Sequence, residues 1–392
     1  MSVAIDAKTS YKNEYIAISG ALISMFLGGI GFGMSLPLLP LVMHRWGLGE
    51  AMIGYNGMAQ SLALFSMCLI VVKVFRKFHM LPTMLVASAI MVVGSLALIE
   101  FQSWFGWFLI RLFIGGAFAF MWIGFEVWVN HLAPEHQRGR ILAIYAGCFA
   151  APTALGPLVL NYVGTEGDLP FYVIAALYGL GALPMLVGYK MQPNFRAEEK
   201  VKLLSMVRVM PFLILCAAMA GLGDGAAWNM MSLFGVKVGL NESSALMLSS
   251  TFLLGSFILQ FPIGYLADKF SRMKLLILVT AIGAVACAGV ALSAVNGIAF
   301  WALTFVAGGM LMGVYVLALA VLGQRFKGGT MAAANAVFVI VFELGTFTGG
   351  PISGGLMEYI HPSSLLWMMG LACLVVTVAA IISRRLQSSQ AA

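Results

Sequence analysis

Four ionisable side chains stand inside long apolar runs of this chain: Arg111, Glu126, Asp224 and Glu343. An ionisable group surrounded by hydrocarbon costs about 2.5–3.5 kcal/mol even on lenient insertion scales, so each needs a reason to be there. The chemistry open to them is the binding and release of protons or of a charged solute. Glu343 falls near the middle of its run, where a carboxyl that exchanges protons can respond to a proton gradient. With Asp224 it forms the expected proton-coupling pair; the competing reading makes each a buried, hydrogen-bonded structural acid. Asp224 sits between Gly223 and Gly225, which predict a thin or broken helix. Trp228, four residues on, shares its face and either walls a binding cavity or lies at the membrane interface.

Arg111, Gly115, Phe118, Trp122 and Glu126 follow one another at spacings of four, three, four and four, which keeps them on one face of a helix. Arg111 binds an anionic group of a substrate, or acts on a nearby carboxylate as part of proton coupling, or ties its helix to backbone carbonyls of the first one. Phe118 and Trp122 are expected to line a substrate cavity beside it. Glu126, at the inner end, is a partner for Arg76, Arg138 or Arg140 in a cytoplasmic gate. Other chemistries lack their residues. The five His include no His-Glu-x-x-His pair, no glycine-rich loop ends in Gly-Lys-Ser/Thr, and no loop has the length of a nucleotide-binding domain. The five Cys stand in or beside apolar runs without paired spacing, so neither a disulfide nor a thiolate metal site is expected. The 26 Met are scattered and read as apolar filling. Neither an enzyme nor a cofactor is expected.

The elements that must position these groups follow from composition. With 61% hydrophobic and 9% charged residues and a mean hydropathy of +0.98, the chain has too little polar surface for a fold bathed in water. Apolar runs near 16–43, 52–72, 81–99, 104–131, 141–163, 170–189, 208–235, 244–266, 275–295, 298–322, 332–357 and 365–383 predict twelve spans, each close to the ~20 residues that cross the bilayer core. The polar start, with Asp6, Lys8, Lys12 and Glu14, leads into a run too long for a cleavable signal. Nineteen of the 22 Lys and Arg fall in the tails and even-numbered loops, which places both termini in the cytoplasm. Only Arg45 and Lys237 lie on the other side. The basic pI of about 9.2 is thus a topology signal, with no nucleic-acid partner implied.

The spans repeat. Trp46-Gly47-Leu48-Gly49-Glu50 answers Val238-Gly239-Leu240-Asn241-Glu242 at an offset of 192, Gly115-Gly116 answers Gly308-Gly309 at 193, and Gly156-Pro157 answers Gly350-Pro351 at 194. Two six-helix bundles, 1–189 and 208–392, joined by a cytoplasmic linker over 190–207, are the expected domains. Tyr315 answers Trp122 at 193 and is expected to line the same cavity. The Gly-Pro pairs at Gly156, Pro157, Gly350 and Pro351 are expected to let their helices bend and approach neighbours, or simply to pack.

Gln260 to Lys274 reads as a tight polar loop between two spans, and Gly264-Tyr265-Leu266-Ala267-Asp268-Lys269-Phe270-Ser271-Arg272-Met273-Lys274 resembles the loop signature G-x-L-(A/S)-D-(R/K)-x-(G/S)-R-(R/K) of the major facilitator superfamily. In that family it lies between helices 2 and 3 and recurs between 8 and 9; here the fuller copy is the second. Gly350-Pro351-Ile352-Ser353-Gly354-Gly355 resembles the family's G-P-x-x-G-G, displaced from helix 5 to helix 11. Pro37 and Pro40 resemble the first helix of drug-exporter-like members, and Glu126-Val127-Trp128-Val129-Asn130 followed by Arg138-Gly139-Arg140 and Tyr145 resembles a bacterial subgroup. The resemblance implies an all-α membrane protein of twelve helices in two pseudo-symmetric bundles. It implies a secondary transporter of a small molecule, with protons and the lipid bilayer as further partners, acting as a monomer in the bacterial inner membrane by alternating access. Asp268, Lys269 and Arg272 become a cytoplasmic latch, with a charge-only topology loop as the alternative. Proton-coupled export by antiport is the expected activity. An uptake symporter for an anionic metabolite, and a non-transporting sensor or lipid-handling protein, are the alternatives.

Overall fold

Apolar runs that cannot hydrogen-bond to lipid must satisfy their own backbone, and a helix does so within one segment. The computed structural model describes residues 2–68, 70–135, 137–189, 191, 207–295, 297–326 and 328–391, and among them every regular element is helical. In chain order these are α1 (Ser2–Arg45), α2 (Glu50–Cys68), α3 (Val71–Phe78), α4 (Met80–Glu100), α5 (Trp104–Leu132), α6 (Arg138–Val163) and α7 (Leu169–Ala182). They continue as α8 (Pro211–Lys237), α9 (Glu242–Ile258), α10 (Gln260–Lys269), α11 (Arg272–Leu292), α12 (Ile298–Arg325), α13 (Gly328–Tyr359) and α14 (Ser364–Ala391). A 3-10 turn at Pro184–Gly188 extends α7.

Among the described residues, eleven helical segments have the length and hydropathy to cross a membrane, matching all the expected spans except the second. The second is divided into α2, of 19 residues, and the short amphipathic α3. Lys73, Arg76 and Lys77 are exposed on α3, while Val71 and Phe75 are each 1% exposed. Such an arrangement suits a helix that leaves the apolar layer at its charged end.

Gln260–Lys269 corrects the loop expected there: it is helical, and the chain turns only at Phe270 and Ser271. Pro262 stands in the first turn of α10, where its missing N–H sacrifices little. The predicted break at Asp224 is also absent, because α8 runs unbroken from Pro211 to Lys237. Of the expected linker, only Met191 and Val207 are among the described residues.

The chain divides into two compact units, Met1–Ser35 with Ala59–Glu198, and Leu36–Met58 with Glu199–Ala392. α1 and α2 therefore contribute to both. In the first unit α4 packs on α5 and α7. Trp128, fully buried, donates its indole N–H to the Met191 carbonyl at 2.9 Å and abuts Gly188, which holds the end of the last N-terminal span to α5. Trp128→Phe should lower stability by about 1 kcal/mol, the net worth of one such bond. A melting midpoint in detergent equal to that of the native protein would refute the assignment.

In the second unit the most extensive contact joins α8 to α13. A Cβ at Gly221 would collide with the Phe342 carbonyl, and one at Gly225 with the Thr346 carbonyl. A Cβ at Gly345 would lie 2.5 Å from the Ala218 oxygen, and one at Gly349 would collide with the Leu222 oxygen. The two helices thus touch backbone to backbone, which small residues permit inside a membrane. The glycines beside Asp224 serve this contact.

The matched turns after the first and seventh spans share one backbone solution. Gly47 has φ of 78° and Gly239 of 97°, both in the left-handed region that favours glycine.

Candidate functional site

Residues expected to handle solute and protons fall into two clusters, one in each unit. In the first unit, Gly115 brings α5 against the Gln60 backbone of α2, and Arg111, one turn away, is 3% exposed. Phe118 stacks on Phe32 with ring centroids 4.6 Å apart, and Trp122 meets Phe149 edge-on at 4.6 Å. Phe118 and Trp122 lie 6.0 Å apart. A cavity among Met25, Met91, Phe118, Trp122, Phe149 and Tyr178 is walled almost wholly by apolar and aromatic groups. Two serines also line it, and their hydroxyls are engaged: Ser24 donates to Gly20 O at 2.9 Å and Ser88 to Tyr178 O at 2.9 Å. Phe149 was missed in the sequence because nothing local ties it to α5; only the packing of α6 does.

Glu126 is exposed on α5. Among the described residues it forms no ion pair with Arg76 or Arg140, both of which are exposed, and the side chain of Arg138 lies outside the described residues. Tyr145 donates to the Trp122 carbonyl at 3.3 Å. The Gly156-Pro157 pair stands in an unbroken α6, and Gly156 lets α6 meet the Gly33 backbone of α1.

The second unit holds the acids. Asp224 on α8 is 9% exposed, and its Oδ2 is buried without a hydrogen-bond partner. It lines a small cavity with Ala220, Phe252, Ser256, Leu311, Met312 and Phe342. Ser256 donates to Phe252 O at 3.2 Å and Gly308 O at 3.1 Å. Glu343 stands on α13, half-buried, as an electrostatic neighbour of Asp224 across the α8–α13 contact. Tyr315 packs on Phe342 with centroids 4.8 Å apart and on Phe338 at 5.5 Å, so it adjoins the Asp224 cavity through Phe342. Trp228 is half-buried on α8. Its neighbour Asn229, to which no role attached in the sequence, donates to Gly225 O at 2.8 Å while its side-chain oxygen presses on Gly57. An amide within an apolar span was the available signal.

At the charged loop of the same unit, Arg272 donates to the Ala320 carbonyl of α12. Lys269 lies 4.3 Å over the Tyr265 ring, and Asp268 is exposed. Gly350 and Pro351 lie within a continuous α13, where a Cβ at Gly350 would stand 3.2 Å from Gly54 O.

The two basic residues that depart from the charge bias are both ion-paired. Arg45 meets Glu242 at 3.2 Å, and Lys237 pairs with Glu50, which is 5% exposed.

A family model described as Major Facilitator Superfamily matches residues 21–212 and, a second time, residues 213–391. The chain is 24% identical over 372 residues to the uncharacterized MFS-type transporter YfkF of Bacillus subtilis, covering 91% of this chain and 93% of that protein. To the uncharacterized MFS-type transporter YcaD of Escherichia fergusonii it is 24% identical over 302 residues, 75% of each. Among solved structures it superposes on the nucleoside transporter NupG with a TM-score of 0.74 at 11% identity, covering 94% of this chain and 98% of that one. On a D-xylose-proton symporter the TM-score is 0.71 at 12% identity, covering 94% and 96%.

Proposed function

Because the chain belongs to the major facilitator superfamily, we propose that it is a proton-coupled secondary transporter that moves a small molecule across the bacterial inner membrane by alternating access, in the direction of export. The observation that carries the coupling is the pair Asp224 and Glu343, electrostatic neighbours on two helices in backbone contact, with an unpartnered carboxylate oxygen of Asp224 facing a cavity. Two carboxylates this poorly hydrated repel when both are charged, so proton binding at one is linked to the state of the other. Arg111, Phe118 and Trp122 supply the substrate contacts of the first unit, and Trp228 and Tyr315 those of the second. The functional halves are 1–189 and 208–392 with 190–207 as cytoplasmic linker; the charge bias supports both termini in the cytoplasm. Glu126, Arg138, Arg140, Asp268, Lys269 and Arg272 work at the cytoplasmic mouth as gate and latch.

Proteoliposomes under an imposed pH gradient test this reading: a transported compound must carry protons with it, and transport without proton movement would overturn the coupling. The buried Arg111 favours a second reading, uptake of a small anion by symport. On that reading Arg111→Lys should cut anion transport at least about tenfold, because an ammonium cannot reproduce the two-pronged guanidinium contact. Full transport of an anion by that variant would remove the second reading.

A further inference from the structure

The turns after the first and seventh spans are repeats of one another, yet they cap the helix that follows in different ways. Asn241 begins α9 and accepts the Ser244 N–H on its own side chain at 2.8 Å, the usual local cap. The matching position before α2 is Gly49, which has no side chain to offer. Its place is taken from far away in sequence: Glu358, at the end of α13, accepts the Ala51 N–H at 2.8 Å. A Cβ on Gly49 would collide with that carboxylate, so the glycine makes room for it. The negative charge also faces the positive end of the α2 dipole. Around this contact Glu50 pairs with Lys237 of α8, Arg45 pairs with Glu242 of α9, and a Cβ on Gly354 would collide with the Glu50 carbonyl.

We propose that Glu358 is a detachable N-cap of α2 and, with the Glu50–Lys237 pair, forms a lock that holds residues 36–58 on the C-terminal helices in one state of the transport cycle and releases them in the other. A local cap such as Asn241 travels with its helix and is indifferent to that change; a cap supplied by another helix exists only while the two helix ends are together. The proposal rests on the alternating-access reading above.

The test is backbone hydrogen exchange of the full chain in lipid nanodiscs. Glu358→Ala should speed exchange over residues 50–54 about tenfold, the effect of losing a cap, and should slow it over residues 126–145, where the gate at the cytoplasmic mouth is proposed, as the population moves to the other state. Gly49→Ala, which displaces the carboxylate without removing it, should do the same, and Glu358→Gln, which keeps an acceptor, should do so more weakly. A Glu50→Lys and Lys237→Glu exchange made together should restore the native pattern that either change alone disturbs. Faster exchange confined to residues 50–58 would mean a frayed helix end and no lock, and unchanged exchange would mean no cap; either overturns the proposal. The exchange pattern does not depend on proton flux, so failure of the coupling reading in vesicles leaves this result to stand or fall separately.

Discussion

Glu343→Gln should reduce substrate-driven proton movement in proteoliposomes to the level of protein-free vesicles while leaving the protein folded. Glutamine keeps the size and hydrogen-bonding ability of the side chain and loses only the exchangeable proton, so it separates a coupling role from a packing one. Asp224→Asn should have the same effect on proton flux, and the double variant should be no worse than either single one if the two acids work as a unit. A helix-to-helix hydrogen-bonding role predicts the opposite pattern: proton flux retained and a lowered melting midpoint. Native flux in Glu343→Gln removes this residue from the coupling step, and the argument for Asp224 weakens with it.

Gly225→Val should be the most damaging of the small substitutions, destabilising the second unit by about 3 kcal/mol or more. Its Cβ would meet the Thr346 carbonyl, which is backbone and cannot swing aside. Relief requires α8 and α13 to separate along a contact that Gly221, Gly345 and Gly349 also maintain. Gly355→Ala supplies the control on α13, since a Cβ there meets nothing within 4 Å. It should be neutral or slightly stabilising through its better helix propensity. Yield of folded protein and the melting midpoint read both variants; a normal midpoint for Gly225→Val would mean that the close approach of these helices is not rigid.

Of the G-P-x-x-G-G sequence in α13, Gly350 and Gly354 meet neighbouring backbone while Gly355 faces open space. The pattern identified a close-packed helix without identifying which glycines do the packing. Asp224 repeats the lesson. Its flanking glycines predict a break when read locally, and in the fold they serve a neighbour 121 residues further on, Thr346 against Gly225. The loop expected at Gln260 failed for a related reason. Pro, Gly and charge within fifteen residues favour a turn, yet a helix tolerates all of them when the proline falls in its first turn and the charges reach its end.

The sequence by itself determined the helical spans, their pseudo-repeat and the charge bias of their loops, because hydropathy and charge are properties each residue carries wherever it lies. Tertiary structure alone decided which groups meet: Glu358 with Ala51 across 307 residues, and Arg45 with Glu242 across 197. Hydrogen bonds and ion pairs act over a few ångströms, and separation along the chain says nothing about approach in space until the helices have packed.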